Sequence, residues 1–159
     1  MKKLQEKSTF VGRPFSDQLM DDQRTFSSCN VEMEQDQVFQ AFLAEHELTD
    51  QRASMIVFGP ENFMYWYGVL VPNEVEVPSG LMRFVLPQNE VALEELDQQN
   101  LAFFSQPLNS VLPTFLQKVG DEGIQMYENP GDSLTPYFVQ TLNLATKKLA
   151  QMLYLDASE

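Results

Sequence analysis

Phe63-Met64-Tyr65-Trp66-Tyr67-Gly68-Val69-Leu70-Val71 is a run of nine apolar residues, rich in rings, that leads on to Val77-Pro78-Ser79-Gly80-Leu81. Flat and β-branched side chains of this kind fit a pleated, half-buried surface, so the run predicts a strand followed by a turn. A strand's side chains alternate between its faces. Phe63, Tyr65, Tyr67, Val69 and Val71 therefore point one way, and Met64, Trp66, Gly68 and Leu70 the other. Both faces are apolar, so both are expected to be covered. A central strand packed on both sides by protein would satisfy this. So would a ligand stacked on Trp66, because Gly68 two residues along leaves a gap beside a large flat ring, and rings favour offset stacking.

The surrounding chain has 159 residues, 43% of them hydrophobic, which is the length and composition of one domain with a proper core. Its 23 acids against 10 bases give a net charge of −13. That argues against a nucleic-acid surface, which needs clustered Lys and Arg, and against anionic membranes. It suits attraction of cations or a basic protein, or simply self-repulsion that keeps a protein dissolved. One cysteine, Cys29, allows no internal disulfide and no cysteine cluster for zinc. Met1 to Lys7 is charged with no apolar segment after it, so no secretory leader is expected. No apolar run approaches the ~20 residues that cross a bilayer. The expected compartment is the cytoplasm.

Working outward from the aromatic run, Ser54-Met55-Ile56-Val57-Phe58 predicts a strand joined to it by Gly59 to Asn62. Gln35 to Glu47 has helical spacing, with Val38 and Phe42 four apart and Phe39, Leu43 and His46 along a stripe. Thr9 to Phe15 predicts a first strand, and Ser16 to Asn30 a loop in which Cys29 lies. In the second half, Leu81 to Leu86 reads as a strand that Glu90 to Glu94 continues after a bend at Pro87. Leu108 to Val119 has a helical apolar face. Pro113 fits it if the helix starts near Ser110, and Gly120 marks its end. Ile124 to Tyr127 predicts a strand. Tyr137 to Ala145 suits a strand or a helix equally, and the tail from Thr146 to Glu159 suggests a short helix through Leu149, Met152 and Leu153. Each half thus reads strand, helix, strand, strand, which predicts an α+β domain with its helices on one side of an antiparallel sheet. The seam between halves is a natural place for a groove.

Few residues suit catalysis. The only histidine, His46, lies on a helix stripe, and the glycines are too scattered for a phosphate loop. No acidic spacing resembles a calcium loop. No metal and no cofactor are expected, and no residue is nominated as catalytic.

Tyr65 to Val71 and Pro78-Ser79-Gly80-Leu81 resemble the aromatic strand, Gly-Val-Glu-Val stretch and Pro-x-Gly-Leu turn of the GyrI-like effector-binding family. Val85-Leu86-Pro87, Glu90 to Leu93, the Leu108 to Gly120 helix and Tyr127-Glu128 are similar to its later elements. The resemblance spans Thr9 to Ala145 and implies a tandem β-α-β-β (GyrI-like/SHS2-type) domain, residues 146–159 being an extension. It also implies a small-molecule groove at the seam. Met64, Trp66 and Leu70 would form one wall, with Thr141 and Asn143 opposite. The family's pocket glutamates correspond to Leu70 and Thr141. A small hydrophobic or aromatic ligand, rather than a lipophilic cation, is therefore implied, since an unpaired charge in a dry pocket is costly. The same replacement leans against the hydrolase activity that some members resemble. A hydrolase of strained electrophiles would have to draw on Glu61, Tyr65, Tyr67, Tyr127 and Glu128. An acidic regulator that binds a protein, and a homodimer, stay open.

Overall fold

A computed structural model of the chain describes residues 1–126 and 130–155. Eight antiparallel strands form one sheet: β1 (Lys2–Gln5), β2 (Ser8–Ser16), β3 (Gln51–Phe58), β4 (Phe63–Val71), β5 (Met82–Leu86), β6 (Asn89–Leu96), β7 (Tyr137–Asn143) and β8 (Lys148–Tyr154). Three α-helices accompany them: α1 (Ser27–Glu34), α2 (Gln37–Glu45) and α3 (Leu108–Asp121). The sheet order is β1-β6-β8-β7-β3-β4-β2-β5. This order reads the same from either end once β1 to β4 are exchanged for β5 to β8. The two halves therefore have one topology, and their seam is the β3–β7 pair.

The sheet does not stay flat. β1 runs into β2 across Glu6-Lys7, and β5 into β6 across Pro87-Gln88. These two long bent strands keep one antiparallel register throughout, Lys2 opposite Ala92 to Gln5 opposite Asn89, then Ser8 opposite Leu86 to Gly12 opposite Met82. Pro87, which has no N–H to donate, stands at the interruption. Because β1 and β2 lie near opposite ends of the strand order, their common partner draws those ends together and curls the sheet. Where β2 meets β4, Gly12 lies opposite Gly68. A Cβ on Gly68 would collide with the Val11 carbonyl, and one on Gly12 with the Tyr67 carbonyl. Only glycine permits this approach. The gap expected beside Trp66 is therefore taken up by the backbone of β2.

The helices cover one face. Val11, Tyr65, Tyr67, Val69, Phe138 and Leu153 pack there with Met33, Phe39, Leu43 and Phe115 from the helices. A smaller cluster fills the helix-free face: Phe10, Met55, Trp66, Leu86, Val139, Met152 and Tyr154. Pro78 to Leu81 makes a turn closed by Leu81 N–H on the Pro78 carbonyl, with Gly80 at φ +102° in the position that requires glycine.

Five expectations need correction. The segment expected as loop contains α1. Cys29, Asn30 and Met33 of α1 are buried, and Asn30 anchors the helix: its Nδ2 donates to the Phe104 carbonyl (3.0 Å) and its Oδ1 accepts from the Tyr65 hydroxyl. His46 caps α2 instead of lying on its buried stripe; it is exposed, with its ring 4.3 Å from that of Phe42. α3 begins at Leu108, so Pro113 lies inside it. Ile124 to Met126 form no strand, and Tyr127 and Glu128 lie outside the described residues. The tail expected as a helix is β8, since it pairs with both β6 and β7. Tyr137 to Asn143, open between strand and helix, is β7, held at the seam by β3.

Gly68→Ala must displace the β2 backbone and is expected to destabilise by about 3 kcal/mol. Gly120→Ala, in α3 with only the tip of Met126 nearby, is expected to stabilise by roughly 0.5–1 kcal/mol. Urea unfolding of both variants checks this, and a neutral Gly68→Ala would refute the close approach.

Candidate functional site

The register fixes which side chains share the helix-free face. Gly68 lies opposite Ala53, and Ala53 opposite Thr141; Trp66 lies opposite Met55, and Met55 opposite Val139. Met64, Trp66, Leu70, Thr141 and Asn143 therefore all belong to this face. They differ in what they do on it. Trp66 is buried (6% exposed), Leu70 and Thr141 are half-buried, and Met64 is exposed. The Asn143 carboxamide oxygen accepts from the N–H groups of Ala145 (2.9 Å) and Thr146 (3.0 Å), which ties Asn143 into the β7–β8 turn.

Trp66 sits in a run of five rings drawn from five strands. Its ring centroid is 6.0 Å from Phe10 and 5.7 Å from Phe84, both edge-on. Phe84 is 5.4 Å from Tyr137, which is 5.6 Å from Tyr154. In the strand order β5 and β7 are four places apart, about 19 Å in a flat sheet. Contact between Phe84 and Tyr137 therefore places the run on the concave side of the curl, and the helices on the convex side. Phe84, Tyr137 and Val57 are only half-buried, so the run comes closest to solvent around them and Met64. Phe10, Phe84, Tyr137 and Tyr154 were not legible as site residues. Alternation places each on one face of its own strand, but only the curl brings them to Trp66.

The concave face is poor in acid. Among the described strand residues its only carboxylate is Glu95, exposed opposite Ala150. Two buried hydroxyls lie on this face, Ser8 Oγ and Tyr154 Oη, and neither completes a hydrogen bond among the described residues. Burial pushes the Tyr154 phenol up to about 12, and Ser8 is the hydroxyl that opposes the rise, so the two lie next to each other without meeting bonding geometry.

The tyrosines considered for acid–base work face the other way, under the helices. Tyr65 donates to Asn30 Oδ1 (2.6 Å) and Tyr67 to Glu34 Oε2 (2.7 Å). Glu34 also receives Nε and Nη2 of the buried Arg52, at 2.7 and 3.1 Å. Burial raises both phenols well above the ordinary range, and the Glu34 carboxylate adds to the rise at Tyr67. Glu61 is exposed in the β3–β4 turn. A second concavity of ≈ 630 Å³ lies apart from Trp66, between α2 and the stretch before β5, with Val38, Phe42, Glu45, Glu76 and Val77 in its lining. Among the described residues no helix is long and apolar enough to cross a membrane.

No family model and no curated protein matches the chain. Solved structures do. SAV2435, determined bound to tetraphenylphosphonium, is similar over 100% of this chain and 94% of its own, with a TM-score of 0.60 at 8% identity. A putative bacterial transcription regulation protein from Staphylococcus aureus MU50 is similar over 99% and 97%, with a TM-score of 0.51 at 6% identity. EcmrR, in a complex with DNA, is similar over 98% of this chain and 56% of its own, with a TM-score of 0.53 at 8% identity. At such identities the likeness is one of fold.

The buried phenols make a prediction about alkaline pH. The folded values of Tyr65, Tyr67 and Tyr154 all lie above the ordinary value near 10. The folded state thus keeps protons that the unfolded state would release, and stability falls as pH rises past about 10. In a base titration at most two of the five tyrosines should give phenolate absorbance before the circular dichroism of the fold is lost. Reversible ionisation of four or five in the folded protein would contradict this burial.

Proposed function

We propose that this chain, whose fold is GyrI-like, is an effector-binding domain that takes a small, neutral, hydrophobic or aromatic ligand on its concave face. The observation that carries the proposal is the unbroken run of Phe10, Trp66, Phe84, Tyr137 and Tyr154 on the face no helix covers. Such a surface offers edges and faces to a flat molecule and excludes water around it. Met64 and Leu70 flank Trp66 on β4, and Thr141 supplies a hydroxyl two strands away. Asn143 contributes by fixing the turn beyond Thr141.

The ligand's neutrality follows from what lines the run. The run offers rings and no carboxylate that could offset a buried cation, and Leu70 occupies the place where the resembling family has a glutamate. A lipophilic cation entering here would lose its hydration without gaining a counter-charge. The similarity to a protein solved with tetraphenylphosphonium supports small-molecule binding by this fold, while the side chains on this chain argue for a different ligand charge.

A thermal-shift screen of neutral aromatic compounds tests the proposal. A ligand present at a hundred times its dissociation constant should stabilise the fold by about 2.7 kcal/mol. Trp66→Ala should weaken that ligand at least about tenfold, the weight of one good ring contact. Unchanged affinity would move the site elsewhere, the groove beside α2 being the first place to look. Leu70→Glu should bring measurable affinity for tetraphenylphosphonium that the parent lacks. A folded Leu70→Glu protein with no such gain would contradict the placing of Leu70 in the site.

A further inference from the structure

We propose that the concave face recognises a neutral aromatic molecule through a single carbonyl or hydroxyl oxygen, held by the facing hydroxyls of Ser8 and Tyr154. The inference rests on the reading that the ring run is the binding face, and it names the polar group that face selects. Ser8 opens β2, two residues before Phe10 and on the same side of the strand. Tyr154 ends β8, its ring against Tyr137. β2 and β8 are not neighbours in the sheet, yet the Ser8 hydroxyl acts on the Tyr154 phenol, so the two lie close to each other across the curl. Both side chains are more than nine-tenths buried, Ser8 at 4% and Tyr154 at 2% exposure.

Buried hydroxyls are normally hydrogen-bonded, and an unpartnered one calls for a reason. Elsewhere among the described residues that rule is kept. Tyr65 reaches Asn30, Tyr67 reaches Glu34, and the nearby Thr135 and Asn89 both donate to the Leu155 carbonyl. Ser8 and Tyr154 are the exceptions among the described residues, and they lie on the face that carries the rings. Each hydroxyl has one proton to give and lone pairs to receive. An oxygen placed between them could accept from Tyr154 and either accept from or donate to Ser8. Because its surroundings disfavour the phenolate, Tyr154 remains a donor throughout the neutral range. The rings of Phe10, Trp66, Phe84 and Tyr137 would hold the ligand's flat body. A site built to satisfy a ligand's polar atom discriminates strongly against an analogue lacking that atom, because its own groups are then left unpaired.

The test compares 2-naphthol with 2-methylnaphthalene, two molecules of like shape that differ in one oxygen. Binding is measured by equilibrium dialysis on the full chain and on Ser8→Ala, Tyr154→Phe and Trp66→Ala. The expected result is at least tenfold tighter binding of 2-naphthol to the parent, about 1.4 kcal/mol. Ser8→Ala and Tyr154→Phe should each bring that ratio towards one by weakening 2-naphthol more than 2-methylnaphthalene. Trp66→Ala should weaken both compounds. Tyr154→Phe should also raise the thermal midpoint of the ligand-free protein, since it removes a buried group that has no partner. Equal binding of the two compounds to the parent overturns this inference and leaves the binding face intact. A lowered midpoint in Tyr154→Phe overturns it as well, because the hydroxyls would then already satisfy each other or a buried water. Failure of both compounds to bind removes the binding face and this inference together.

Discussion

One antiparallel ladder shapes the molecule: Lys2 to Gly12 against Met82 to Ala92, continuous in register across two bends. A sheet with free ends can spread, twist and take helices on both sides. Here the same pair of strands borders both ends of the sheet, so the sheet must curl. The Gly12–Gly68 contact lets β2 and β4 follow that curl without a side chain between them. Curling makes the two faces unequal. The convex face has room for α1, α2 and α3, while the concave face is lined by side chains that reach across to one another, as Phe84 does to Tyr137.

The two cores that result differ in chemistry. The convex core includes polar groups, and each named one is engaged. Glu34 is the hub, receiving the Arg52 guanidinium and the Tyr67 phenol, while Ser54, Gln140 and Gln151 bond in series across three strands. Such networks fix one arrangement, because a partner removed leaves a buried group stranded. The concave core is made of rings, aliphatic chains and two hydroxyls without partners. Its contacts are dispersion and edge-to-face attractions, which another flat molecule can replace at little loss. Rigidity on one face and exchangeable contacts on the other form a division suited to holding a ligand without unfolding.

The strand at Phe63 to Val71 was legible because nine consecutive apolar residues admit few alternatives, and it fixed both faces in advance. α2, the α3 segment and the Gly80 turn were legible for similar reasons of spacing and glycine geometry. α1 was not. Ser27-Ser28-Cys29-Asn30 has no apolar stripe, and the helix is settled by tertiary bonds from Asn30 to Phe104 and Tyr65. β8 looks helical in the sequence because Leu149, Met152 and Leu153 suit a helix as well as a strand, and only pairing with β6 and β7 decides between them. β1, Lys2-Lys3-Leu4-Gln5, is almost wholly polar and takes its form from β6. The same limit governs the site. The resemblance put Trp66 and Thr141 on facing walls of one groove, but which distant rings would meet Trp66 depends on the curl, and the curl depends on a register that joins residues some 80 positions apart.

That register also explains how a chain of net charge −13 can carry a neutral interior. Each strand sends alternate residues inward, and the inward sets of β2, β3, β4, β5, β7 and β8 contain no acid. Among the described strand residues the one inward carboxylate, Glu95 on β6, stands at the end of a row of small residues, Gly12, Gly68, Ala53, Thr141 and Ala150, and is exposed. Apart from Glu34 in the convex core, most of the described acids thus lie outside the two cores, and their field raises the concentration of cations near the surface. Crossing from that surface to the rings means giving up water, and a charge that does so without a partner loses more than long-range attraction supplies. Attraction at the surface and selection inside are therefore decided by different physics. Inside, shape and the placement of one oxygen count for more than charge.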